Sequence, residues 1–321
     1  MNVPRSTPAP WQIGESDSVP EAKPIWMKYF DAQAVSRITA IGFKPFSLVE
    51  GNLVGDHRSP FHGFAVEFAG HRQYAPGDDL KHFDWKVYFR SEKYLIKQYD
   101  QETNFIGHVL VDVSETMKFE YQNRRKMDYA AFIAVALAGT IVAQNDLVSA
   151  TFFSDRIRET VPATGTEEII SKISRFMEQA DFKDPTAIGR VLSLMAQQAG
   201  RRKCVFVISD FFNDLTSTFD GIKRLLYNNN EVILLHLVDP IEMDFDYPGQ
   251  VELVELEGQD RLLVQGSSIR DSYNALFRQY LDTMKEESRK LAVDYVLCDT
   301  SVNFGMTLSR YLNTRISRGS G

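Results

Sequence analysis

Cysteine is nearly absent. The 321 residues hold two, Cys204 and Cys298, each inside an apolar run. Two thiols on separate strand-like segments provide neither a disulfide framework nor a metal cage, so both read as small core residues. An excess of positive charge is missing as well. With 36 Lys and Arg against 43 Asp and Glu, the net charge is -7, which argues against a phosphate-backbone binder, and no nucleic-acid partner is expected. The short basic runs Arg124-Arg125-Lys126 and Arg201-Arg202-Lys203 each flank an apolar segment and read as solvated element ends. The longest uncharged stretch, Tyr129 to Ala143, is broken by Gly139 and Thr140. It falls short of the roughly 20 residues of a membrane helix, so a buried core helix is expected there. No charged-then-apolar pattern opens the chain. The expectation is a soluble, cytoplasmic protein without direct membrane insertion.

Several catalytic signatures are also missing. There is no Gly-x-x-x-x-Gly-Lys-Ser/Thr phosphate loop and no Gly-x-Ser-x-Gly elbow. The six histidines (His57, His62, His71, His82, His108, His236) show no zinc-ligand spacing. His62, His71 and His82 read as polar surface residues.

What is present is a globular composition, 44% hydrophobic and 25% charged, so the bulk of the chain is expected to bury a core. Residues 1–24 carry Pro4, Pro8, Pro10, Pro20 and Pro24 without an apolar period and read as a disordered tail. Residues 25–101 read as a helix to about Ile41 followed by a small β module. Its strands are expected at Phe61–Phe68 and Tyr94–Tyr99, with a turn at Ala75-Pro76-Gly77-Asp78 between them. Residues 102–315 then alternate strands and helices. Strands are expected at Phe105–Asp112, Leu147–Phe153 paired with Arg156–Val161, Cys204–Ser209, Val232–Val238 and Tyr295–Leu297. A hairpin is expected over Val251–Gln265. Helices are expected at Lys126–Gln144, from a Thr164…Glu167 capping box to Gln179, from Pro185 to about Gly200, and at Leu215–Asn228, Ile269–Ala292 and Gly305–Asn313. Residues 316–321 read as a flexible tail. Strands apolar throughout and alternating with helices imply an α/β fold with a doubly wound, mostly parallel sheet of Rossmann-like type.

In such sheets ligands sit beyond the carboxyl ends of the strands, and three hydrophilic clusters fall there. The first is Asp112-Val113-Ser114-Glu115-Thr116, the second Asp184-Pro185-Thr186, and the third Asp210 after Ile208-Ser209. Asp-x-Ser-x-Thr puts three oxygen side chains on one side of a tight loop. With Thr186 and Asp210 added, the set is all oxygen and low in charge, which suits a hard divalent cation: Mg²⁺, or Mn²⁺ or Ca²⁺.

This arrangement resembles the metal-dependent adhesion site of the von Willebrand factor A fold, Asp-x-Ser-x-Ser with a distant Thr and a distant Asp. The resemblance implies Ser114 and Thr116 as direct hydroxyl ligands and Thr186 as a direct or water-mediated one. Asp112 and Asp210 would hold metal-bound waters, and an acidic side chain of a protein client would fill the metal's open position. Thr116 departs from the pattern by replacing the second serine. It keeps the hydroxyl and adds a methyl group.

The segment His71-Arg72-Gln73-Tyr74-Ala75-Pro76-Gly77-Asp78-Asp79-Leu80-Lys81-His82-Phe83-Asp84-Trp85 resembles the signature of a bacterial domain-of-unknown-function family, family 58. Its members combine it with a von Willebrand A-like domain and are often encoded beside MoxR-type AAA+ ATPases. The resemblance implies a cytoplasmic protein–protein adaptor with such an ATPase as partner. Within the motif, Gly77 is expected at a positive φ in the turn. Arg72, Asp78, Asp79 and Asp84 are expected to form one ion-pair network under Trp85 that joins the β module to the α/β domain, with Tyr74 beside it; a binding surface is the alternative. The aromatics Tyr88, Phe89, Tyr94 and Tyr99 read as core. A non-enzyme is expected. The runner-up is a metal-dependent phosphatase-like hydrolase, with Asp112 where an aspartyl-phosphate nucleophile would sit but Ser114 in place of the second acid. A scaffold with a vestigial metal site is the third possibility.

Overall fold

The computed structural model describes residues 24, 26, 28–43, 45, 66–76, 78, 79, 81, 83–101, 106–181, 183–198, 203–247, 249–254 and 261–319. The expected tail at 1–24 lies outside these except for its last residue. So do the first part of the expected strand at 61–68, Gly77, His62, His82, the Arg201-Arg202 pair and the side chain of Tyr99.

The chain opens with α1 (Ala32–Ile41), shorter than the helix expected from residue 25, because the Asp31 side chain caps it by accepting from the Gln33 and Ala34 amides. An antiparallel hairpin follows, β1 (Val66–Gln73) with β2 (Leu95–Gln101). Between its strands lies a helix the apolar pattern does not announce, α2 (Trp85–Ser91), capped by Asp84. The turn expected at residues 75–78 is closed by a bond from the Asp78 amide to the Ala75 carbonyl, 3.1 Å.

The α/β domain begins with β3 (Ile106–Asp112), a small ribbon of β4 (Glu120–Tyr121) and β5 (Arg124–Arg125), and α3 (Lys126–Ala143). Next come β6 (Leu147–Phe153), β7 (Ile157–Thr164), α4 (Glu168–Gln179), α5 (Ile188–Gln198), β8 (Cys204–Ser209), α6 (Leu215–Tyr227) and β9 (Glu231–Val238). The chain closes with α7 (Pro240–Asp244), the hairpin β10 (Gln250–Val254) and β11 (Arg261–Gln265), α8 (Gly266–Lys290), β12 (Asp294–Asp299) and α9 (Phe304–Gly319). Three expectations are corrected. Thr164 is the last residue of β7, with its hydroxyl on Thr166, so no capping box starts α4. α5 starts at Ile188 rather than at Pro185. Residues 316–319 continue α9 instead of forming a tail.

Six strands form one sheet in the order β12-β9-β8-β3-β6-β7. All neighbours are parallel except the edge pair β6–β7, so the sheet is mixed and the α/β class holds. Numbered by appearance within the sheet, the order is 3-2-1-4-5-6, the doubly wound arrangement. Side chains alternate across it. Val109 and Val111 join a core with α1, α3, α4 and α9, whereas Leu110 joins a second core with α5, α6 and α8. Both faces being covered explains why β8 reads as an unbroken apolar run. α3 is long and apolar enough to cross a membrane, yet it is buried almost all round against the sheet and three helices. Cys204 and Cys298 are buried free thiols, as expected.

Candidate metal centre at the strand switch point

The winding direction reverses between β3 and β8, and the carboxyl ends of the strands at such a switch point are where sheets of this type bind ligands. Asp112 ends β3 and Asp210 follows β8. A 3₁₀ turn at Glu115–Lys118 carries Thr116, and Thr186 lies in the loop before α5.

All five residues predicted from the sequence meet here in one chain of hydrogen bonds. Asp112 accepts from the Ser114 amide at 2.9 Å and from the Thr186 hydroxyl at 3.1 Å. The Ser114 and Thr116 hydroxyls lie 3.1 Å apart, and Thr116 donates to Asp210 at 3.3 Å. All five are buried. The loops also brace one another. The Glu115 amide donates to the Asp184 carbonyl at 3.1 Å, and the Asn213 side chain to the Thr186 carbonyl at 2.6 Å. Phe211, directly after Asp210, adopts φ 51°. This left-handed conformation is unfavourable for a bulky residue. It is held by a bond from its amide to Ser209 and one from the Tyr280 hydroxyl to its carbonyl.

Three residues of this centre escaped sequence reasoning. The Ser209 hydroxyl donates to Asp112 at 2.7 Å; its position directly before Asp210 was the available signal. Lys126 reaches Asp210 at 3.1 Å and Glu242 at 2.7 Å. The reading of Arg124-Arg125-Lys126 as a solvated end is therefore wrong here, since Lys126 is 3% exposed and Arg124 pairs with buried Asp239. No local signal could have found this, because both carboxylates are remote in sequence.

Burial, reinforced by Asp210, pushes the Asp112 carboxyl up to about 6, against the opposing bonds from Ser209 and Ser114. Burial alone would lower the Lys126 ammonium, but Asp210 and Glu242 outweigh it and its pKa is raised. Burial raises the Glu242 carboxyl despite that ammonium.

The donor set fits a hard divalent ion. Adjacent oxygens around an octahedral ion at roughly 2.1 Å stand about 3.0 Å apart, and the Ser114 and Thr116 hydroxyls have that spacing. Among the described residues no group of three or more His, Cys, Asp or Glu is placed to hold a metal. Hydroxyls backed by two aspartates are the available ligands.

The 71–85 motif is arranged differently from the expectation. Arg72 makes a two-pronged pair with Asp78 at 2.7 and 2.6 Å, and this pair holds the Asp78 carboxyl down at about 2. Asp84 binds His71 at 2.8 Å and caps α2, while Asp79 accepts from the Lys81 amide. Among the described residues, the Arg72–Asp78 and His71–Asp84 pairs are two distinct contacts within the hairpin module. Of the aromatics expected in the core, Phe89 and Tyr94 are 80% and 59% exposed and Tyr88 is half-buried, and Trp85 is 52% exposed as well. Trp85 and Tyr94 pack against Phe83, Phe89 packs against Trp85, and the Tyr74 ring lies 6.2 Å from that of Phe83.

The chain is similar to uncharacterized proteins of Mycobacterium bovis and Mycobacterium tuberculosis, 24% identical over 229 residues that cover 70% of this chain and 72% of each relative. Among solved structures it is similar to the conserved hypothetical protein BatB from Bacteroides thetaiotaomicron, with a TM-score of 0.43 and 14% identity, covering 67% of this chain and 100% of that one. The sequence profile described as "Protein of unknown function DUF58" matches residues 70–300, and the chain belongs to that family.

Proposed function

We propose that this protein is a metal-dependent protein-binding module of von Willebrand factor A type, acting as an adaptor or co-chaperone with a MoxR-type AAA+ ATPase. One observation carries the reading: five oxygen-bearing side chains from three separate loops converge at the switch point of a doubly wound sheet. Ser114 and Thr116 would hold a divalent cation directly, Mg²⁺ foremost, with Thr186, Asp112 and Asp210 behind them. When bound, the ion supplies a Lewis-acidic position for one further oxygen, such as a client's carboxylate. The ATPase partnership rests on the resemblance carried by residues 71–85 and on family membership.

The chain's own contribution is orientation. Asp112 fixes the Ser114 amide and the Thr186 hydroxyl at once, so the three loops are set before any partner arrives. Both Asp112 oxygens are engaged and the residue has no exposed surface. That enclosure favours a binding site over a hydrolase with Asp112 as nucleophile.

The test is a pull-down of wild type and Asp112→Ala from native lysate, each in Mg²⁺ and in EDTA. Retention of an AAA+ ATPase by wild type in Mg²⁺ alone is expected. Equal retention in EDTA would sink the metal bridge and move the interface elsewhere.

A further inference from the structure

α3 begins in a way that local preference opposes. Its first residue is Lys126, although the amino end of a helix favours anions. Its N-cap, Arg125, makes no side-chain capping bond. A buried ammonium there is very costly without carboxylates around it. Two arrive from remote parts of the chain, Asp210 at 3.1 Å and Glu242 at 2.7 Å. Asp210 is shared: one oxygen takes the Thr116 hydroxyl and the other the ammonium. Glu242 is fixed in turn by the capping box of α7, where its second oxygen accepts from the Asp239 amide.

We infer that Lys126 is an internal cation of the metal centre, holding Asp210 in place without a divalent ion and setting the charge that an incoming ion meets. Glu242 is its counterweight. Neither residue touches the Ser114 or Thr116 hydroxyls; both are positioning residues. The inference rests on the metal reading above. Asp112, Asp210 and Glu242 against one ammonium leave two net negative charges, which one divalent cation neutralises. Lys126 therefore weakens divalent binding by like-charge repulsion and stabilises the metal-free fold, and Glu242 strengthens divalent binding from outside the ligand set.

The experiment is titration calorimetry of the full chain with Mg²⁺ and with Mn²⁺ at pH 8, alongside thermal unfolding in EDTA. Lys126→Met is expected to tighten the divalent Kd by about tenfold or more and to lower the Tm in EDTA. Glu242→Gln keeps an oxygen for the Asp239 amide and is expected to weaken the Kd by a comparable factor. Opposite signs are the signature, because simple damage to the site weakens binding in both variants. If Lys126→Met does not fold, Glu242→Gln decides: affinity equal to wild type overturns the inference. A folded Lys126→Met that binds no more tightly does the same. A wild-type chain without divalent affinity overturns the metal reading and this inference together; wild-type binding that neither variant moves overturns the inference alone.

Discussion

At the scale of single residues, burial decides chemistry that residue type leaves open. His108 lies in the centre of β3, its two ring nitrogens 3.0 Å from the Thr151 hydroxyl and 2.9 Å from that of Ser149. Burial, aided by nearby Lys203, lowers its pKa to about 4, below the roughly 6.5 of an unfolded chain. The unfolded state therefore takes up the proton first as pH falls. The stabilisation is fully present above about pH 6.5 and is lost between there and pH 4, amounting to about 3 kcal/mol. His108→Gln removes this titration. Urea unfolding at several pH values should show the variant less stable at pH 7.5, with a gap to wild type that closes by pH 4.5; a constant gap would disprove the assignment. Lys126 teaches the same lesson with the opposite sign, being a cation whose surroundings no local pattern reveals.

At the scale of elements, α5 and α6 pack closely enough to exclude a methyl group. A Cβ on Gly189 would stand 2.4 Å from the backbone of Ser217, and one on Gly221 would stand 2.8 Å from the Gly189 carbonyl oxygen. Gly189→Ala must push the helices apart, at a cost of about 3 kcal/mol. Because Thr186 lies just ahead of α5, the same variant should also weaken divalent binding. Gly70→Ala, which meets nothing within 4 Å, serves as the control. Thermal unfolding and calorimetry check both effects, and a Gly189→Ala protein as stable as the control would contradict the packing argument. The elements that sequence reasoning missed share a cause. α2 is seven residues long and half exposed, so it has no apolar period to announce it. The Thr164…Glu167 box has the right spacing, but pairing with β6 draws Thr164 into β7 instead.

At the scale of the whole molecule, Arg315 ties the two ends of the described chain to the sheet. From α9 it pairs with Glu231 at the start of β9 and with Asp294 at the start of β12, and its guanidinium lies 4.7 Å from the Phe43 ring. It is 3% exposed. Removing it takes the buried guanidinium away from both Glu231 and Asp294, so Arg315→Ala should lose about 3 kcal/mol in urea unfolding. Arg318→Ala, whose pair with Asp294 is exposed, should change stability by less than about 1 kcal/mol. Equal effects would show that Arg315 is no anchor. No local pattern announces this anchor, because the partners of Arg315 are remote in sequence.

The amino-acid order alone determined the alternation of apolar strands and helices, and hence the covered sheet, because burial on both faces demands unbroken apolar runs. It also pointed to the five oxygen side chains of the candidate site, since Asp112, Ser114, Thr116, Thr186 and Asp210 stand in or beside the loops that follow strands or lead into helices. Only the tertiary structure decided what surrounds them. Strand order brought the ends of β3 and β8 side by side, Ser209 with them, and the short helix α7 delivered Glu242 to complete the centre. The charge of such a site is a sum over groups that meet only after folding, and so Lys126 could be read as a surface residue until its neighbours were in place.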